Sequence, residues 1–369
     1  MNLKPISQQN ILITGATSGI GLTTARMAAK QGAGLALIAR NDEALRQLCD
    51  EINPNGRRAV YAAADVADET SLRQAAQRLI KELGGLDTWI NNAGASIYGR
   101  IMDVPLQDFK RLFDTNLWGV VNGSRLAVEF LRQRGGALIN VGSEVSDHAI
   151  PLQGMYSASK HAVKGFTDSL RMELEADDLP ISVTLIKPTA IHTPFVEHAK
   201  NYLPYEPQLP PPVYAPDLVA EAILYCAENK VRDFFVGETA KLNSAMGHYA
   251  PGLTSKFNEM MIDSMQNSGK PAMPNRSDSL YETHSDLSER GQKDRFVLET
   301  SVYQKAMMHP LMTAGLLIGG SVAVGALVAK AMASPGESRV DDHRSLQEQV
   351  AAGQIKTQEG TYGTAARGL

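Results

Sequence analysis

Tyr156 and Lys160 stand four residues apart at the end of the stretch S-E-V-S-D-H-A-I-P-L-Q-G-M-Y-S-A-S-K, which starts at Ser143. On a helix this spacing puts both side chains on one face. A lysine beside a phenol favours the phenolate and draws the tyrosine pKa down from its ordinary value of about 10. Tyr156 is thereby a candidate acid/base for work near neutral pH. Ser143 closes an apolar strand, 137–141, and its hydroxyl can hydrogen-bond the oxygen that Tyr156 protonates. A tyrosine and a lysine at helical spacing are usually plain surface, so the surrounding elements must decide.

Those elements alternate. An apolar run at 10–14 leads into T-G-A-T-S-G-I-G (Thr14 to Gly21) and a helical pattern at 22–31. A glycine-rich turn between strand and helix lets backbone N–H groups approach a phosphate. A second strand, 34–39, ends at Arg40 with no acid before Asp42. An arginine there accommodates a 2′-phosphate, so the expectation is NADP(H) rather than NAD(H). Helix 42–52, with Asn41 as its N-cap, precedes strand 59–63, Asp65-Val66, helix 69–83 and strand 86–90, which runs into N-N-A-G (Asn91 to Gly94). A long helix at 108–134 carries Asn116, and strand 137–141 precedes helix 156–176. Strand 181–186 ends at Lys187-Pro188, and helix 217–229 and strand 233–236 follow. Alternation of this kind implies an α/β fold, a doubly wound parallel sheet whose ligands bind beyond the carboxyl ends of the strands. The stretch 192–216, rich in proline and aromatic residues, has the length and composition of a lid over such a site.

Composition narrows the partners. The chain has 369 residues, 43% of them hydrophobic, with a formal net charge of -4 and no long basic run, so nucleic acid is not expected. Cys49 and Cys226 form no C-x-x-C pattern, which argues against a disulfide framework or a zinc site, and no metal is expected. The first nine residues are polar and lack the layout of a secretory signal, so the first domain is expected in the cytoplasm.

Taken together, residues 10 to about 237 resemble the short-chain dehydrogenase/reductase family. The resemblance rests on T-G-A-T-S-G-I-G, Asp65, N-N-A-G, Asn116, Ser143 and Y-S-A-S-K, in that order. It implies a Rossmann-type sheet of about seven parallel strands, an NADP(H)-dependent oxidoreductase, and homo-oligomers as a usual assembly. It also implies that Gly15, Gly19 and Gly21 shape the cofactor turn, in which Thr17, Ser18 and Ile20 lie. Asp65 and Val66 would meet the adenine, and Asn92, with Ala93 and Gly94, would steady the strand beside the cofactor. Asn116, Ser143, Tyr156 and Lys160 would form a catalytic tetrad, with Tyr156 as acid/base and Lys160 on the nicotinamide ribose. Pro188, Ile191 and Thr193 would flank the nicotinamide. Thr189 departs from the family, which usually has glycine there. By the same resemblance the substrate would lie among Tyr98, Val145, His148, Gln153 and Phe195, with Ala95, Leu152 and Tyr202 nearby. That mostly apolar set suggests a hydrophobic alcohol or its ketone or aldehyde. A non-catalytic NADP(H)-binding sensor or scaffold is the alternative from another class.

The expected organisation is a catalytic domain at 1–250, a helical extension and polar flexible linker at 251–300, a membrane segment at 306–330 and a polar, disordered tail at 331–369. Residues 311–329 carry no charge and, as a helix, reach roughly 28 Å, close to the hydrocarbon thickness of a bilayer. Gly315, Gly319 and Ala323 make a small-residue stripe. The expectation is a single C-terminal transmembrane anchor, over a buried or oligomerising soluble helix, with the dinucleotide-binding domain on the cytoplasmic side.

Overall fold

A computed structural model describes residues 2–309, apart from 56, 57, 275, 285, 286 and 292–294. The chain alternates as its pattern requires. β1 (Asn10–Thr14), α1 (Gly19–Lys30), β2 (Gly34–Ala39), α2 (Asp42–Ile52), β3 (Ala59–Ala63), α3 (Glu69–Leu83) and β4 (Thr88–Asn91) make the first half. After a two-residue strand β5 (Ile97–Tyr98) come α4 (Leu106–Phe113), α5 (Gly119–Leu131), β6 (Gly136–Val141), α6 (Gly154–Ala176) and β7 (Ile181–Pro188). The short elements α7 (Phe195–His198), β8 (Lys200–Asn201) and β9 (Tyr205–Pro207) precede α8 (Pro216–Glu228) and β10 (Asp233–Val236). α9 (Glu238–Tyr249), α10 (Pro251–Gln266), β11 (Asn267–Pro271) and α11 (Val302–Met308) complete the described chain.

Seven strands form one parallel sheet in the order β10-β7-β6-β4-β1-β2-β3. This is the expected doubly wound Rossmann-like sheet. Its central strands are apolar almost throughout because helices cover both faces. Every residue of β6 and of β7 is buried. One core layer lies under α1, α2 and α8, and the other under α3, α5 and α6. Caps set the helix starts: the Asn41 side chain accepts from the Ala44 N–H at 2.9 Å, and Asp68 caps α3. The strand order reverses between β1 and β4, which opens a crevice at their carboxyl ends.

Two elements differ from the sequence reading. The helix expected at 108–134 is broken by a π turn, Asp114–Trp118, which carries Asn116. The turn offsets the helix where Asn116 must face the strand ends, a place where such irregularity often serves a site. The described residues of the stretch read as a flexible linker pack on the sheet domain as a strap. β11 pairs antiparallel with β9, and the Arg276 guanidinium is buried against the Glu206 carboxylate. Leu280 is 1% exposed, Arg290 binds Asp217 and Glu299, and Gln304 of α11 donates to the Leu218 carbonyl at 2.7 Å. Scattered ion pairs and backbone bonds hold the strap, so it has no apolar periodicity for a sequence reading to detect. Contacts group Met1–Met308 as one unit, with His309–Leu369 as another. The apolar run at 311–329 and the tail lie outside the described residues. Among those described, no helix is long and apolar enough to cross a membrane.

Candidate active site

The turn after β1 carries the site's first requirement. Gly15 has φ +68°, a conformation that favours glycine, and the position is tight against Ala93. A Cβ on Gly21 would fall 2.1 Å from the Gly15 carbonyl oxygen and 2.5 Å from the Asn92 side chain. Asn92 holds this turn to the end of β4 by donating to the Thr14 and Gly15 carbonyls, both at 3.1 Å. Thr14 reciprocates, its hydroxyl accepting from the N–H groups of Asn92 and Ala93. The result is a backbone cradle with no side chain at Gly15, Gly19 and Gly21, as close approach of a phosphate requires.

A cavity of about 280 Å³ runs from this cradle across the strand ends to Tyr156. Gly15, Thr17, Ser18, Gly19 and Ile20 line it at one end, with Arg40, Asp65 and Val66 beside them. Asn92, Ala93 and Gly94 form its middle, and Pro188, Ile191 and Thr193 its wall at the end of β7. Ser143, Tyr156 and Lys160 face it from β6 and α6. Tyr98, Val145, Gln153 and Phe195 line the part around the phenol. The cavity therefore gathers nearly all the residues singled out by sequence. Gly21 lies behind the cradle and Asn116 behind Gly94, each acting through its neighbour.

Asn116 is fully buried. Its side chain accepts from the Ala95 N–H at 2.8 Å and donates to the Ala95 carbonyl at 3.0 Å and to the Ser159 hydroxyl at 3.1 Å. It thus ties the segment after β4 to α6. The Lys160 Nζ sits 5.8 Å from the centre of the Tyr156 ring and donates to the Val141 carbonyl at 2.9 Å. The Tyr156 ring meets Phe195 edge-on at 5.5 Å. Ser143 caps a short 3₁₀ turn, Glu144–Ser146, and its hydroxyl also reaches the Tyr156 phenol.

The electrostatics depart from the spacing argument. Burial pushes Tyr156 up to about 12, with the Ser143 hydrogen bond opposing and the Glu144 carboxylate adding to the rise. Lys160 does not offset this, because burial pushes its own ammonium down to about 8 and its proton is directed at Val141. Spacing placed the two side chains together, but burial decides their charge.

The lysine shift has a consequence for stability. Between pH 8 and pH 10 the unfolded chain keeps this lysine protonated while the fold favours it neutral. At this site the unfolded state then binds more protons, so Lys160 contributes stability that rises with pH, by at most about 1.4 kcal/mol per unit. The buried thiols of Cys49 and Cys226, both pushed up by burial, oppose it from about pH 9, and Tyr156 opposes it above pH 10. Lys160→Met is expected to make the change in stability from pH 8 to pH 10 less favourable than in the wild type, as urea unfolding at the two pH values would show. An equal pH response in the wild type and the variant would refute it.

Four residues stand apart from expectation. Leu152 does not line the cavity and packs with Tyr98, Val196, Ala199 and Leu203. His148 does not line the cavity; it packs against Gly247 of α9, and burial pulls its imidazole below the ordinary range. Tyr202 bonds Asp108 instead of facing the cavity. Thr189 is accommodated: its hydroxyl pairs with the Thr239 hydroxyl at 3.3 Å and its methyl lies over Gly237. The sequence reading missed Glu144, His198, Leu209, Ser279 and His284, all of which line the cavity. Adjacency to Ser143 was a usable signal for Glu144. None existed for Ser279 and His284, which the strap brings from more than a hundred residues away.

Comparison with known proteins matches this geometry. The sequence pattern of short chain dehydrogenases matches residues 9–202, more than half of the chain. The chain belongs to the short chain dehydrogenase family. An uncharacterized oxidoreductase of Bacillus subtilis, YxnA, is 42% identical over 322 residues, 86% of this chain and 90% of that protein. That match is too long to stop short of the strap. A 3-ketodihydrosphingosine reductase of Bacteroides thetaiotaomicron is 35% identical over 52% of this chain and 66% of its own length. Among solved structures, a short-chain dehydrogenase/reductase of Mycobacterium marinum superposes with a TM-score of 0.55 at 28% identity, covering 63% of this chain and 95% of its own. An alcohol dehydrogenase of Thermococcus sibiricus complexed with 5-hydroxy-NADP gives 0.54 at 25% identity, covering 62% and 95%. This short chain dehydrogenase is accordingly an oxidoreductase.

Proposed function

We propose that the chain interconverts a hydrophobic secondary alcohol and its carbonyl compound with a nicotinamide dinucleotide, and that Tyr156 is the acid/base. The observation that carries this reading is one cavity joining the glycine cradle to a buried phenol with Ser143 and Lys160 beside it. The cradle fits a dinucleotide in that Gly15 and Gly21 leave no room for a Cβ and the bend leads directly into the N-terminus of α1, although the Gly19 N–H there donates to the Ser288 carbonyl at 2.8 Å. When bound, the nicotinamide supplies or accepts the hydride.

The chain's own groups handle the proton. Tyr156, raised to about 12, is protonated at neutral pH and can donate to a carbonyl oxygen as charge develops on it. Ser143 hydrogen-bonds the phenol and holds it toward the cavity. Lys160 lines the cavity beside the phenol and would hold a ribose hydroxyl, and Asn116 locks α6 to the strand end, keeping Tyr156 and Gly94 in register. Val145, Tyr98 and Phe195 exclude water from the phenol's side of the cavity. These apolar walls support a hydrophobic substrate, as does the 3-ketodihydrosphingosine in the name of the Bacteroides relative. Arg40 at the end of β2, with no acid in its place, supports NADP(H).

The test is a screen of hydrophobic alcohols and ketones with NADPH and NADH, followed at the nicotinamide absorbance. Turnover confined to small hydrophilic substrates would overturn the substrate class. The uncharged run at 311–329 supports a membrane anchor, and recovery of the full-length chain only in the soluble fraction would overturn that.

A further inference from the structure

Arg40 is not free to meet a ligand. Its Nη2 donates to the carbonyls of Ser279 and Glu282 at 2.6 and 2.7 Å, and its Nη1 reaches those of Leu280 and Tyr281, each at 3.4 Å. Four carbonyl oxygens of one turn of the strap therefore surround one guanidinium. The neighbouring Asn41 side chain donates to the His284 carbonyl at 3.3 Å. Arg111, the next cation, is also committed: it binds the Asp65 carboxylate at 2.5 Å and donates to the Leu280 carbonyl at 3.0 Å. Two carboxylates, Asp65 and Asp278, balance the two guanidinium groups in this corner of the cavity.

The turn has anchors that do not involve Arg40. The Leu280 side chain is buried among Ala95, Ile97, Phe109 and Leu112. The Tyr281 hydroxyl donates to Asp108 at 2.8 Å, and the Ser279 N–H donates to the His198 carbonyl at 2.8 Å. Docking of the turn is thus an equilibrium of its own, to which Arg40 adds.

A ribose hydroxyl and a 2′-phosphate fare differently in such a corner. A hydroxyl can donate to a carbonyl's second lone pair without disturbing the arginine. A phosphate monoester brings nearly two negative charges and only acceptor oxygens, which meet carbonyl oxygens and balanced cations. We propose that the turn Ser279–Glu282 is a cofactor-selectivity element, which competes with the 2′-phosphate of NADP(H) for Arg40. The docked turn lowers the preference for NADP(H) that Arg40 confers, and binding of NADP(H) undocks it. This rests on the reading of the cavity as a dinucleotide site.

The experiment compares dissociation constants for NADPH and NADH, by cofactor fluorescence, in the full-length chain and in Leu280→Ala, Tyr281→Phe and Arg40→Met variants. Releasing Arg40 restores charge-assisted bonds to the phosphate, so Leu280→Ala is expected to shift the ratio toward NADPH by about tenfold. Tyr281→Phe, which removes one part-buried bond to Asp108 and leaves that carboxylate its bonds to Tyr202 and Lys200, shifts it the same way by less. In the double variant Arg40→Met with Leu280→Ala the gain disappears. Hydrogen exchange of the amides at 279–284 in the wild type rises with NADPH and not with NADH. Unchanged ratios in both Leu280→Ala and Tyr281→Phe overturn the proposal, as does NADPH binding with those amides still protected. Failure of the wild type and of every variant to bind either dinucleotide overturns the dinucleotide reading itself, and the proposal with it.

Discussion

Tyr156→Phe is expected to lower turnover by about 10²–10⁴-fold while dinucleotide affinity stays unchanged. Only a hydroxyl is lost. The ring remains edge-on to Phe195 at 5.5 Å, so the cavity wall keeps its shape. The lost atom is the proton donor, and neither Lys160 nor Ser143 replaces it. Lys160 directs its proton at the Val141 carbonyl, and Ser143 has too high a pKa to act as an acid. Single-turnover reduction, followed at the nicotinamide absorbance together with a cofactor titration, separates chemistry from binding. Full turnover by the variant on a confirmed substrate would remove Tyr156 from the mechanism.

Gly21→Ala is expected to abolish cofactor binding at ordinary concentrations and to lower the melting temperature. A Cβ at this position would lie 2.1 Å from the Gly15 carbonyl oxygen and 2.5 Å from the Asn92 amide nitrogen, distances no packing can absorb. Either the cradle opens or Asn92 leaves its two carbonyl partners. Overpacking of this kind costs about 1–3 kcal/mol, and a buried polar group left unpaired about as much again. The contrast is Gly165→Ala in α6, where a Cβ meets nothing within 4 Å. There the better helix propensity of alanine is expected to raise stability by about 1 kcal/mol. Thermal melts of the two variants, with and without NADPH, are expected to give opposite signs. Equal melts, or a cofactor-induced stabilisation surviving in Gly21→Ala, would contradict the account.

The two substitutions also show which parts of the molecule were legible beforehand. All seven strands of the sheet were visible as short apolar runs between helical patterns, because a parallel strand buried on both faces has few alternatives in composition. The cradle was visible because a strand, a glycine-rich bend and a helix follow one another directly. The helix 108–134 was misread because a π turn shifts the apolar phase by only about one residue, too little to stand out in a stretch that is helical on both sides. His148 looked like a substrate contact from its place between Val145 and Gln153, which line the cavity, but α9 covers it.

What the sequence by itself determined is local and periodic: the strand and helix alternation, the glycine bend, and the spacing that puts Tyr156 and Lys160 on one face of α6. These follow from backbone geometry and burial preferences acting over a few residues. Tertiary structure alone decided the charge states at that face, since the shifts of Tyr156 and Lys160 come from burial by distant elements. It also decided what holds Arg40. Four carbonyls from residues 279–282 meet a side chain some 240 positions earlier, and backbone oxygens carry no mark in the amino-acid code.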